Sequence, residues 1–249
     1  MENNIHEFFF EPDIEYPLFK VYCFKKKFIN IINSLNEQKE PVKAFLINRD
    51  VFLEDYEYSE VSIFIVDEIN HNSSKIISEV HKNSIITIII STKILNIEEK
   101  FFDCYYIIQT QNLIFNRIKT IIEYFKTPSY ISIDILDIRN IFRNTQILNI
   151  FSIFSIYKTK NNTIKDLIFD IIEKLSHRLD VSNTDKVIMR FFLSQTLKKS
   201  IGGQDMKILT EYLSILPSHI NIIWDFNFYW EEEEQLKLVV FNLKEIYNE

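Results

Sequence analysis

The chain has 249 residues, 47% of them hydrophobic and 25% charged, with a formal net charge of −7. That length holds one large domain or two modest ones, and the composition is that of a folded globular protein. The negative balance argues against a nucleic-acid binder, which carries a basic face.

Residues 1–17 are acidic and aromatic, with Phe8, Phe9 and Phe10 in a row. They read as an arm or short first strand packed on the body. The N-terminus opens on Glu2 and Asn3, so no cleavable signal is expected. Leu18–Phe24 is a strand rich in Val, Tyr and Phe, followed by Lys25-Lys26-Lys27 and a helical pattern over Phe28–Leu35. Strands are expected at Val42–Ile47, Val61–Val66, Ile85–Ile90 and Cys104–Ile108, with a short helix at Ser73–His81. The apolar runs are too short and too interrupted to span a bilayer. Uniformly apolar strands separated by helices predict a parallel sheet covered on both faces, whose ligand edge is the carboxyl ends of the strands. Those ends carry Lys25–Lys27, Asn48–Asp50, Asp67-Glu68 and Ser91-Thr92. Cys23 and Cys104 fall in predicted strands, which suits core residues in a reducing cytoplasm better than a disulfide.

A helix follows over Asn112–Lys126, with apolar residues at spacings of three and four, and Pro128 stops it. Tyr130–Ile133 reads as extended. Asp134 is placed to cap a helix over 134–142, with Asp137 in its first turn, where negative charge is favoured. Beyond lie a strand at Ile147–Tyr157, a polar loop at Lys158–Asn162 and a helix over Ile164–Leu179 capped by Thr163. The next elements are a strand at Lys186–Leu193, a helix over Met206–Leu216 and strands at Asn221–Phe228 and Gln235–Leu243. Between those last two, Glu231–Glu234 reads as a solvated hairpin.

Only two glycines occur, Gly202 and Gly203, where average usage predicts about 17 in a chain of this size. A glycine-rich phosphate loop therefore has no raw material in the first 201 residues. The glycine pair itself reads as a turn with positive φ. No histidine–cysteine spacing suits a metal and no nucleophile motif stands out, so no cofactor or metal is expected.

The segment Ile121–Arg139 resembles, without gaps, the end of the central helix, the following loop and the next helix start of the tubulin/FtsZ superfamily, on the FtsZ side. Val187–Leu193, Pro217–Trp224 and Gln235–Phe241 resemble later strands of that family. Phe45–Asp50 and Asp103–Ile108 resemble earlier ones more faintly. The resemblance implies an α/β, tubulin/FtsZ-like two-domain architecture. Residues 1–111 would be a reduced Rossmann-like parallel-sheet domain, 112–126 the central helix, and 127–249 an α+β domain with a mixed sheet. The departures are specific: Lys25–Lys27 and Asp67–Ser74 stand where the family has glycine-rich turns, and the chain ends soon after the last strand, so the family's C-terminal tail is expected to be absent. Asp67 and Glu68 would repel phosphates, so no residue is assigned to nucleotide binding.

In the family, the loop equivalent to 127–139 reaches into the nucleotide pocket of a filament neighbour, where its acids orient the attacking water. The resemblance implies a trans-acting and partner-interface role for Ser132, Asp134, Asp137 and Arg139, with Ser132 replacing an asparagine. The other reading makes Asp134 and Asp137 a helix cap and a first-turn charge. Lys25–Lys27 reads as a solvated turn in preference to a phosphate contact. The expectation is a non-enzymatic pseudo-GTPase of the cytoplasm that meets an FtsZ-like protein or itself, and neither nucleic acid nor membrane. A divergent GTPase and a nucleotide-independent scaffold are the alternatives.

Overall fold

The computed structural model describes residues 19–37, 41–47, 58–95, 101–126, 133–156, 163–194, 202–214, 216–229 and 235–246. The predicted arm, Asn48–Asp50, Thr127–Ser132, the loop 158–162 and Glu231–Glu234 lie outside those residues.

Strand β1 (Phe19–Cys23) leads through a 3-10 turn at Lys26–Phe28 into helix α1 (Ile29–Asn36). Next come β2 (Val42–Leu46), β3 (Ser59–Val66), α2 (His71–Lys82), β4 (Ser84–Ser91) and β5 (Cys104–Ile107). Helix α3 (Gln111–Lys126) runs to the central junction, and α4 (Ile135–Phe142) follows it. The remainder is β6 (Thr145–Ile156), α5 (Ile164–Ser176), β7 (Lys186–Ser194), α6 (Gly203–Leu213), β8 (Asn221–Tyr229) and β9 (Gln235–Glu245).

The nine strands form one sheet in the order β2-β1-β3-β4-β5-β6-β9-β7-β8. Pairing is parallel from β2 through β6. β9 runs antiparallel between β6 and β7, and β8 is parallel to β7. This is the α/β class with a mixed sheet in its second half. The long apolar runs Ile63–Val66 and Ile88–Ile90 are buried throughout because helices cover both faces of the first half. Residues from α1, α3 and α4 form one core with the sheet, α2 contributes Ile77 and Val80 to a second, and α5 and α6 pack a third against β6–β9.

Local signals set the helix starts. Asn70 and Ser73 form a capping box, so α2 begins at His71, two residues ahead of the predicted start. Thr163 and Asp166 do the same for α5. The glycine pair is a correction: Gly202 is the N-cap of α6 with φ −124°, and no glycine has positive φ. Its N–H donates to Asp205 Oδ2 at 2.9 Å, so the helix starts at Gly203 instead of Met206. Glycine serves at an N-cap without needing left-handed backbone. Among the described residues the left-handed position is Asn144, with φ 55°, in the turn from α4 to β6. No described helix is long and apolar enough to cross a membrane.

Candidate functional site: the strand ends and the α4 face

Because β1, β3 and β4 are adjacent and parallel, the residues just past their carboxyl ends converge. Asp67 follows β3 and is only 7% exposed. Its Oδ1 accepts from Thr92 Oγ1, just past β4, at 2.7 Å. Its Oδ2 pairs with Lys27 Nζ and lies 3.7 Å from Lys25 Nζ, both from the turn after β1. Lys25 Nζ also pairs with Glu68 Oε1 at 3.0 Å. Gln111, the first residue of α3, donates from Nε2 to Lys27 O at 3.1 Å. The lysine turn is therefore built into a network, while Lys26 stays exposed.

The electrostatics follow from this packing. Burial pushes the Asp67 carboxyl up, but hydrogen bonds from Lys27 and Thr92 and the charges of both lysines outweigh it and hold it below the ordinary carboxylate value. The hydrogen bond to Glu68 raises Lys25, so its ammonium is held charged. Burial pushes the Cys23 thiol up to about 11, and its Sγ donates to Lys25 O at 3.1 Å. A thiol in that state is not a nucleophile. The edge where an open parallel sheet receives a ligand is thus occupied by a carboxylate neutralised from within the chain.

The acidic helix start lies elsewhere. Asp134 Oδ1 accepts from Leu136 N at 3.2 Å, which makes it the N-cap of α4, and Asp137 occupies the first turn. Both side chains are exposed. Arg139 is not grouped with them: its Nε donates to Asp103 Oδ1 at 3.1 Å. Asp103 immediately precedes β5, so this contact fixes α4 at the amino ends of the parallel strands, opposite the lysine network. An open groove of about 430 Å³ beside it is lined by Ile133, Asp137, Asn140 and Ile141 with Asn221–Trp224 at the start of β8. Ser132 lies outside the described residues.

Two clusters went unforeseen. Asp103, 1% exposed, also accepts from Thr87 N at 2.8 Å. His81 Nδ1 shares a hydrogen bond with Thr87 Oγ1 at 3.0 Å and stands 3.8 Å from Asp103 Oδ2. Burial lowers the His81 pKa; Asp103 pulls it up, and Arg139 and Arg143 push it down again.

In the second cluster, Arg190 and Asp225 are direct cross-strand partners on β7 and β8. Arg190 Nε lies 2.9 Å from both carboxylate oxygens, and its Nη2 donates to Oδ2 at 2.6 Å. Its Nη1 donates to the carbonyl of Tyr124, and its guanidinium carbon stacks 4.3 Å from the centre of that ring. A charged residue at an inward position of each predicted strand was the available signal. Among the described residues no group of His, Cys, Asp and Glu is placed to hold a metal.

No protein-family model matches the chain, and no curated protein matches its sequence. Solved structures do match in fold. An empty FtsZ dimer from M. jannaschii is 12% identical, with 93% of each chain covered and a TM-score of 0.52. TubZ from Bacillus thuringiensis serovar israelensis, in GDP-form protofilaments, is 6% identical over 91% of this chain and 89% of that one, with a TM-score of 0.53. A helical model of the TubZ-Bt two-stranded filament is 8% identical over 91% and 84%, with a TM-score of 0.54. Identities this low speak for the fold alone, and that fold is FtsZ/tubulin-like.

Proposed function

We propose that this protein is a non-enzymatic, FtsZ-like interaction protein, a pseudo-GTPase of the cytoplasm. It docks its acidic α4 face on an FtsZ-type subunit and so caps or modulates a filament, as part of a cytoskeletal or cell-division process. The carrying observation is the network at the strand ends. Asp67, nearly buried and tied to Lys25, Lys27 and Thr92, stands where a nucleotide's phosphates would have to enter. A second carboxylate, Glu68, sits beside it. Side chains at every position from Lys25 to Phe28 and from Asp67 to Asn70 deny phosphates the close backbone approach that glycine gives.

Placement of the two faces supports the docking half. The lysine network and α4 lie at opposite edges of the same parallel strands, the arrangement a head-to-tail contact requires. The FtsZ and TubZ structures sharing the fold are a dimer and filaments. With its own nucleotide edge closed, a subunit of this kind offers α4 to a neighbour and no nucleotide site to the next.

Titration with a fluorescent GTP analogue tests the first half: no saturable binding is expected, and saturable GTP binding would overturn the reading in favour of a divergent GTPase. Sedimentation of FtsZ with and without the protein tests the second. A change in polymer mass or GTP turnover is expected, and no change sinks the docking role. Light scattering by the protein alone, without nucleotide, separates a self-assembling scaffold from a cap.

A further inference from the structure

The lysine turn after β1 is built like an anion site, and its anion is part of the chain. The Lys27 ammonium and the Thr92 hydroxyl, from two separate segments, meet on one carboxylate that is 7% exposed, and the Lys25 ammonium lies 3.7 Å from it while pairing with Glu68 at 3.0 Å. Lysine ammonium groups acting as point charges at the carboxyl edge of a parallel sheet are one way phosphates are held. The turn itself buries Phe28 in the core, and the Lys27 ammonium lies 4.6 Å from the centre of that ring. Asp67 is fixed in turn by the registered pairing of β3 with β1 and β4. The sheet therefore fixes the backbone from which the side chains of the cradle project.

We infer that Asp67 is a tethered substitute for a phosphate-type anion, and that the Lys25–Lys27–Thr92 cradle accepts inorganic phosphate or pyrophosphate once Asp67 is removed. This rests on the functional reading above and deepens it. The strand-end edge has not merely lost its ligand loops; it carries an internal ligand. A tethered group acts at an effective concentration in the millimolar range or above, which a free anion has to exceed to displace it. The edge then holds its shape without any nucleotide.

Calorimetry with pyrophosphate and inorganic phosphate, at matched ionic strength, tests this on three proteins. The unmodified chain is expected to bind neither, and its melting temperature is expected to be the same in phosphate as in chloride. Asp67→Ser opens space and removes the charge, and is expected to bind pyrophosphate at least on the order of tenfold more tightly than the unmodified chain, since a unit charge within contact distance of the anion is gone. Adding Lys27→Met to that variant is expected to abolish the gain. A folded Asp67→Ser protein that binds no better than the unmodified chain overturns the inference, and so does phosphate binding by the unmodified chain. If Asp67→Ser does not fold, Asp67→Ala, which likewise opens space and removes the charge, takes its place with the same two outcomes. An unmodified chain that ignores GTP beside a variant that ignores pyrophosphate removes only this inference. GTP binding by the unmodified chain removes the functional reading, whatever the variant does.

Discussion

His81 and Asp67 are both ionisable groups whose pKa values are lowered by folding, and each makes stability fall in acid over a different window. For His81 the ordinary value is 6.5, and burial beside Thr87 lowers it. The unfolded chain then takes up a proton that the folded chain refuses. Stability is complete above pH 6.5 and declines as pH falls through that value toward the folded one. One proton sets the upper limit of the slope, about 1.4 kcal/mol per pH unit. Asp103 faces the imidazole as the attracting charge, and Arg139 and Arg143 as the repelling ones. Urea unfolding between pH 5 and pH 8, run on the unmodified chain and on His81→Gln, checks this (roughly the range in which histidine titrates). The variant is expected to lose the decline just below pH 6.5, and an unchanged profile would mean that another group titrates there. Asp67 contributes in a lower window. Its stabilisation is present above the ordinary value of 3.8 and is lost as pH falls through the lower folded value.

At the scale of elements, the end of α3 is the point where sequence and tertiary contacts cooperate. The last carbonyls of a helix have no intrahelical partner. Arg190 reaches from β7 to the Tyr124 carbonyl, two residues before the last residue of α3, and the same guanidinium is held by Asp225 on β8. All three residues are almost fully buried. Arg190→Met leaves Asp225 as an uncompensated buried charge and is expected to cost about 3–5 kcal/mol in urea unfolding. The double variant Arg190→Met, Asp225→Leu is expected to recover most of that, because no charge is then stranded. Equal losses in the single and double variants would show that stacking on Tyr124 matters more than the pair. Tyr124→Phe is a milder probe. The Tyr124 hydroxyl is buried with no hydrogen-bond partner among the described residues, so its removal is expected to leave stability unchanged or raise it by about 1 kcal/mol.

Much of this architecture was legible because it is local. Strand and helix positions came through from periodicity, and Asp134 and Thr163 were identifiable as caps from their place before apolar runs. The Gly202–Gly203 reading failed because glycine was taken as a left-handed turn residue when it caps a helix through its own N–H and Asp205. The side-chain pairings that give the site its character were not legible. Asp103 meets residues at 81, 87 and 139, separations at which composition and spacing carry no signal, whereas residues 25, 27, 67 and 92 were placed at one sheet edge by the strand pattern and only their pairing was not. Arg139 illustrates the consequence. Its neighbours in sequence place it with the two exposed acids, while the fold gives it to Asp103.

Across the whole molecule, a single sheet runs from the lysine network through β5 and β6 to the second half, so the lysine network and α4 are carried on one framework. The acidic face can therefore be tested without disturbing the frame, provided the cap is respected. Asp134 both caps α4 and presents a charge, and replacing a capping aspartate by alanine costs about 1 kcal/mol, which would confound any effect on a partner. Asparagine caps as well as aspartate does. The double variant Asp134→Asn, Asp137→Asn keeps the hydrogen bond to Leu136 N and removes both charges. Its stability is expected to stay within about 0.5–1 kcal/mol of the unmodified chain, the part owed to the helix dipole. If the two carboxylates act on a neighbouring subunit, this variant has no effect on FtsZ sedimentation or GTP turnover. A variant that keeps the full effect returns Asp134 and Asp137 to their helix-start roles. It would move the contact to the neutral side of the same groove, where Asn140, Asn221 and Trp224 remain.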